Sequence, residues 1–177
     1  MVMFEWWNVL ADDERRQWTL DSFVSVGPLR FGMSPGEASA MLDGVTAASY
    51  CPASESLPAI VRGDSSEPGV KLYYWGERLS AIVVDALRGP QVFADGMALV
   101  GRVSSDLEKW MVDRAEAHAA DSELIYMGAG IPGSDTLGVF IDVQRAGDHL
   151  LTRPVFVPSE AMDDPSHFLP RDMWSRY

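Results

Sequence analysis

Apolar and polar positions along the chain change period several times, and each change marks an element. From Val70 to Val84 the sequence VKLYYWGERLSAIVV alternates about a central Gly76-Glu77. Strand side chains point to opposite faces in turn, so two alternating runs separated by two turn residues predict a β-hairpin. Gly at the first turn position suits a type II′ turn. That register sets Trp75 opposite Arg78, Tyr73 opposite Ser80 and Lys71 opposite Ile82 on one face. The other face, Val70, Leu72, Tyr74, Leu79, Ala81 and Val83, is apolar throughout and is expected to meet the core. The first face is then expected on the solvent side, where it displays Tyr73 and Trp75, unless a loop or the N-terminal segment covers them.

Two segments read as helices. In the stretch Phe23 to Gly44, Ser34 stands at an N-cap position, Pro35 follows at the first helical position and Glu37 completes a capping box. Gly44 supplies a left-handed stop. The second helix is expected over 104–119, with Ser105 and Glu108 at capping-box spacing and an apolar stripe of Leu107, Trp110, Met111, Ala115 and His118. A shorter amphipathic helix is expected between Phe4 and Gln17.

The remaining strands are shorter. Phe23, Val24 and Val26 predict one, turned by Gly27-Pro28. Others are expected around Ala59 to Arg62, over Gln91 to Phe93 before Asp95-Gly96, over Leu124 to Met127, over Thr136 to Val143, and over Pro154 to Val157. Residues 45–68, rich in Pro and Ser, otherwise read as irregular. The sum is an α+β domain spanning 1–177: an antiparallel sheet of about six to eight strands with two principal helices on one face. A capped helix followed by strands occurs twice, which suggests repeat halves at 20–93 and 94–158 and a C-terminal segment at 159–177.

The run Leu29-Arg30-Phe31-Gly32-Met33-Ser34, with Glu37 and Gly44 after it, resembles the segment that opens the helix-plus-sheet repeats of beta-lactamase inhibitor proteins and small outer-membrane assembly lipoproteins. The likeness spans residues 29–44. Ser39 or Ala40 stands where that family prefers an aliphatic residue, and its paired cysteines and lipoprotein signal are absent. The resemblance implies a protein that works by binding another protein.

Composition narrows the function more than the fold. A chain of 177 residues that is 47% hydrophobic, with six Trp, can bury a sizeable core. A formal charge of −12 repels nucleic acid and anionic membrane surfaces. Cys51 is the one cysteine, so no internal disulfide forms and a reducing, cytoplasmic setting is expected. The N-terminal MVMFEWWNVL is too short and too interrupted for a signal peptide or a span.

Motifs that carry chemistry are missing: no P-loop, C-x-x-C, H-E-x-x-H or G-x-S-x-G occurs. His118, His149 and His167 lack ligand spacing. Gly128, Gly130 and Gly133 satisfy G-x-G-x-x-G, but an alternating strand pattern follows where a helix is needed, so no dinucleotide site is expected. Asp142 with Asp148, or Asp163 with Asp164, could hold a cation, although solvated acids describe them as well. No catalytic residue, cofactor or metal is assigned.

The expected function is an acidic, cytoplasmic protein-binding module. In its specific form it is an immunity protein or inhibitor that neutralises a basic partner such as a toxin. Tyr73 and Trp75 would anchor that partner, and Glu160, Asp163 and Asp164 would steer it. The alternative is a small enzyme or ligand-binding domain with a pocket near loop 128–135.

Overall fold

The computed structural model describes residues 9–42, 45–54, 57–66, 69–118, 124–128, 130–163, 169–170 and 173–174, with the backbone alone for 45–54 and 57–66. After a 3₁₀ turn at Asp12–Glu14 come β1 (Gln17–Asp21), β2 (Ser25–Val26), β3 (Leu29–Arg30) and α1 (Pro35–Met41). A four-strand meander follows: β4 (Val45–Ser54), β5 (Leu57–Ser66), β6 (Val70–Trp75) and β7 (Arg78–Val84). Next are β8 (Gln91–Ala94), β9 (Met97–Ala98) and α2 (Ser104–Ala117). A second meander comprises β10 (Leu124–Met127), β11 (Ile131–Ser134), β12 (Val139–Ala146) and β13 (His149–Phe156), and α3 (Ser159–Asp163) follows it.

The two meanders join into one eight-stranded antiparallel sheet in the order β10-β11-β12-β13-β7-β6-β5-β4. The seam lies between the last strand of each meander, with Val83 opposite Val155 and Ile82 opposite Phe156. Helix-then-four-strands therefore occurs twice, and each helix contacts the final strand of its own meander. A second sheet, in the order β3-β2-β1-β8-β9, was not expected from the sequence. Its β1 and β8 run parallel, which ties the segment before α1 to the segment before α2.

Both principal helices lie on one face of the large sheet, as expected for this α+β class. Ala38 of α1 and Leu107 and Met111 of α2 bury against Leu72, Tyr74, Ile82, Val84, Val139, Ile141 and Phe156, together with Trp18, Val26 and Leu29 of the second sheet. The opposite face is the surprise. Tyr73, Ala81, Val83, Phe140 and Val155 form a second buried cluster beneath Ala161, Met162, Leu169 and Met173 of the C-terminal segment. Trp174 meets Phe140 edge-on, with ring centroids 5.8 Å apart. Tyr73, expected on the solvent side, is 1% exposed. Period-two alternation distinguishes two faces, but it says nothing about what a distant segment lays over each.

Several local expectations change. In the hairpin Trp75 does oppose Arg78, but Gly76 (φ 56°) and Glu77 (φ 60°) both take left-handed values, so the turn is type I′ rather than II′. An irregularity beyond Tyr74–Leu79 leaves Ser80 unpaired, so Tyr73 faces Ala81 and Lys71 faces Val83. In the stretch 45–68, read as mostly irregular, β4 and β5 pair antiparallel along their length; Pro52 is tolerated because β4 is the outer strand. Phe23 and Val24 form a turn between β1 and β2 rather than a strand. Of the N-terminal helix expected between Phe4 and Gln17, residues 4–8 lie outside the described residues; the rest is no amphipathic α-helix but a single 3₁₀ turn at Asp12–Glu14 that leads into strand β1 at Gln17.

Helix α2 starts at Ser104 with Val103 at the cap position and no side-chain cap, so the Ser105–Glu108 box does not form. The expected 128–135 loop contains β11, and Gly133 is needed there because a Cβ would come within 2.6 Å of the Phe140 ring. Strand β13 begins at His149, well before Pro154. The Gly44 stop lies outside the described residues. Among the described residues no helix is long and apolar enough to cross a membrane.

Candidate functional site

The segment after β3 builds the first wall of the site. Gly32 takes φ 89°, a value that favours glycine, and leaves its N–H free to donate to the Leu79 carbonyl at 2.9 Å. The Leu79 N–H returns a bond to the Met33 carbonyl at 2.8 Å. These two bonds clip the loop onto the start of β7. Beyond it the capping box forms as expected: the Ser34 N–H donates to Glu37 Oε2 at 2.8 Å, and the Glu37 N–H donates to Ser34 Oγ at 3.3 Å. The backbone N–H of Ser34, and then its hydroxyl, hold the Glu37 carboxyl below its ordinary value. Phe31 is thereby fixed beside the β6–β7 turn.

A second wall comes from the β1–β2 turn and the end of β13. Phe23 has φ 66°, rare for a bulky side chain. Its ring lies against Gly138, where a Cβ would approach it to 2.8 Å. The Gly138 carbonyl accepts from the Val157 N–H at 3.0 Å, which sets the direction in which the chain enters α3.

Between these parts opens a groove of about 530 Å³, lined by Phe23, Phe31, Gly32, Trp75, Arg78, Leu79, Ser80, Pro158, Ser159, Glu160, Ala161 and Leu169. The fold thus brings together two residues singled out from the sequence: half-buried Trp75 and exposed Glu160. Asp163 is exposed at the end of α3 but does not line the groove. Asp164 lies outside the described residues. Tyr73 sits in the core behind Trp75, so it is not a surface anchor. Sequence reasoning missed Phe23 and Phe31 as contributors. Phe31 lies within the Phe-Gly-Met-Ser run that drew attention for its cap, whereas nothing local marks Phe23.

The chain's best-satisfied ionic groups lie elsewhere and hold the scaffold. Arg15 is 5% exposed and donates to the carbonyls of Leu10, Ala86, Leu87 and Gly89, closing the turn after β7. Burial lowers the affinity of Arg15 for its proton, against the opposing pull of Asp12 and Asp85. Asp12 bonds Gln91 and Arg102. Burial pushes its carboxyl up, but those bonds, with the charges of Arg102 and Arg15, outweigh it and leave it below the usual value.

Asp142, considered above as a cation ligand, is 2% exposed and accepts from Arg153 Nη1 at 3.0 Å. The same nitrogen donates to the Met173 carbonyl at 2.8 Å, clasping the C-terminal segment to β12 and β13. Asp148 and His149 are exposed, and exposed His118 caps α2, its Nδ1 2.9 Å from the Arg114 carbonyl. Among the described residues no group of three His, Cys, Asp or Glu side chains could hold a metal ion. A smaller groove of about 280 Å³ lies at the start of α2, beside Met97, Arg102 and Asp106. Of the residues near the expected 128–135 loop, Gly128 and Gly130 flank the β10–β11 connection, Ile131–Ser134 are strand β11, and none of these lines either groove. No family model, curated protein or solved structure matches the chain.

Proposed function

We propose that the protein is a binding module that masks a basic partner protein in the cytoplasm, as an immunity protein or inhibitor does, and that the groove beside Trp75 is its contact site. One observation carries this reading: Trp75 and Glu160, far apart in sequence, converge on one open groove that Phe23 and Phe31 also line. Tryptophan in a partly desolvated setting is the residue type that most often anchors protein interfaces. A charge of −12 gives the field that speeds encounter with a cationic partner. The volume falls within the range of about 300–1,000 Å³ that accommodates a ligand-sized group, here a few side chains of a partner.

The test places a photo-crosslinking amino acid at Trp75 and, separately, at Tyr126, an exposed position on the outer strand β10. Crosslinking in the native cell extract should yield a basic protein from position 75 only, and Glu160→Lys should reduce the yield. The same products from both positions would sink the reading.

A further inference from the structure

Past Val157 the way the chain is held to the body changes. The Val157 N–H donates to the Gly138 carbonyl at 3.0 Å, and Pro158 follows with no N–H to give. Among the described residues beyond it, backbone bonds stay local. The Ala161 N–H donates to the Pro158 carbonyl and the Met173 N–H to the Pro170 carbonyl, each at 3.1 Å. None of these residues belongs to a strand of either sheet. Side chains hold them instead. Ala161, Met162, Leu169 and Met173 bury in one cluster on Tyr73, Ala81, Val83, Phe140 and Val155, and Arg153 joins Asp142 to the Met173 carbonyl.

A helix of five residues has no stability of its own in water, so α3 keeps its shape only while it is docked. Its buried residues share their cluster with Leu169 and Met173, so the loss of one contact weakens the rest. The groove depends on the same residues. Pro158, Ser159, Glu160, Ala161 and Leu169 make one wall. The facing wall belongs to the body, where the Gly32 bond to Leu79 and the Leu79 bond to Met33 clip it onto β7.

We propose that the chain after Val157 is a strap, hinged at Val157–Pro158, that opens as one unit while both sheets stay folded. Opening removes one wall of the groove and bares the apolar sheet face in the same movement. Burial of that face keeps the closed form dominant. A ligand held between the walls then stabilises the closed form, and a partner that binds the bared face empties the groove, because both share one conformational step. This holds whatever the groove takes, so it goes beyond the binding-module reading and does not depend on it.

Amide hydrogen exchange of the intact, unliganded protein tests the strap under conditions where exchange reads the open population. Ala161 reports the groove wall, Met173 the clasp, Leu79 the fixed wall and Val83 the sheet beneath. Protection at Ala161 and Met173 should agree within about fivefold and lie about tenfold or more below that at Leu79 and Val83. Urea should lower the protection of the first pair along a shallower slope than that of the second, since opening exposes less surface than unfolding. Leu169→Ala should reduce protection at Ala161 and Met173 by the same factor.

Protection at either strap amide less than about tenfold below the sheet would show that the segment leaves only when the whole protein unfolds. A gap beyond about fivefold between Ala161 and Met173 would show separate fraying. Each result overturns the inference on the wild-type protein alone, whether or not the variant folds. A loss confined to one of the two amides in folded Leu169→Ala would overturn it as well.

Discussion

Tyr73 and Trp75 differ by two positions on one strand and point the same way, yet they have different roles. Tyr73 is 1% exposed in the cluster beneath the C-terminal segment, whereas Trp75 is half-buried at the mouth of the groove. Truncating a fully buried aromatic removes its transfer free energy and leaves a cavity. Tyr73→Ala should therefore destabilise the protein by about 3 kcal/mol or more, while Trp75→Ala should cost about 1 kcal/mol or less. Urea unfolding of the two variants measures this, and equal losses would mean that Trp75 is also core. The sequence shows that both rings share a face, and only the covering segment separates them.

Among the elements, α1 is the one whose start was most legible. Ser34, Pro35 and Glu37 are local in sequence and local in space, so no distant partner could override them. Ser34→Ala should lower stability by about 1 kcal/mol, seen as a lower denaturation midpoint at unchanged slope. Glu37 adds a pH dependence. Its folded value is depressed, so its contribution is complete above the unfolded carboxylate value of about 4.3 and is lost as pH falls through the folded value. Glu37→Gln should flatten the stability profile in that acidic window and leave it parallel to wild type near neutrality; parallel profiles throughout would rule out the bond. The box expected at Ser105 failed although the same letters recur there. Its helix begins two residues earlier than that box requires, with Val103 at the cap position and in contact with Leu151 across an isolated bridge, so tertiary contact sets the start.

For the whole molecule the decisive contact is the clasp of Asp142, Arg153 and the Met173 carbonyl. It fastens the segment that covers one face of the sheet and that also supplies Pro158, Glu160 and Leu169 to the groove. Arg153→Met would leave the buried Asp142 carboxylate without this cation and free the Met173 carbonyl. We expect a loss of about 3 kcal/mol and faster proteolysis of the chain after Val157 in limited digestion, ahead of any cleavage in β12. Unchanged digestion of that segment would show that its apolar contacts suffice.

What the sequence by itself determined were features whose causes are local or periodic. These include the α+β class, the α1 cap, the β6–β7 hairpin and its Trp75–Arg78 closure, the turn at Asp95-Gly96, and the absence of a helix after Gly133. Each follows from residues within a turn or two of one another, where steric and hydrogen-bonding preferences act without outside help. The tertiary structure decided what long-range burial controls. It laid the C-terminal segment over Tyr73, paired β1 with β8 to make a second sheet, and joined the two meanders at β7 and β13. It also brought Phe23, Phe31, Trp75 and Glu160 around one groove. Irregularly spaced apolar residues such as Met162, Leu169 and Met173 carry no period that reveals their partners. Their positions follow from the apolar face that the rest of the chain would otherwise leave open to water.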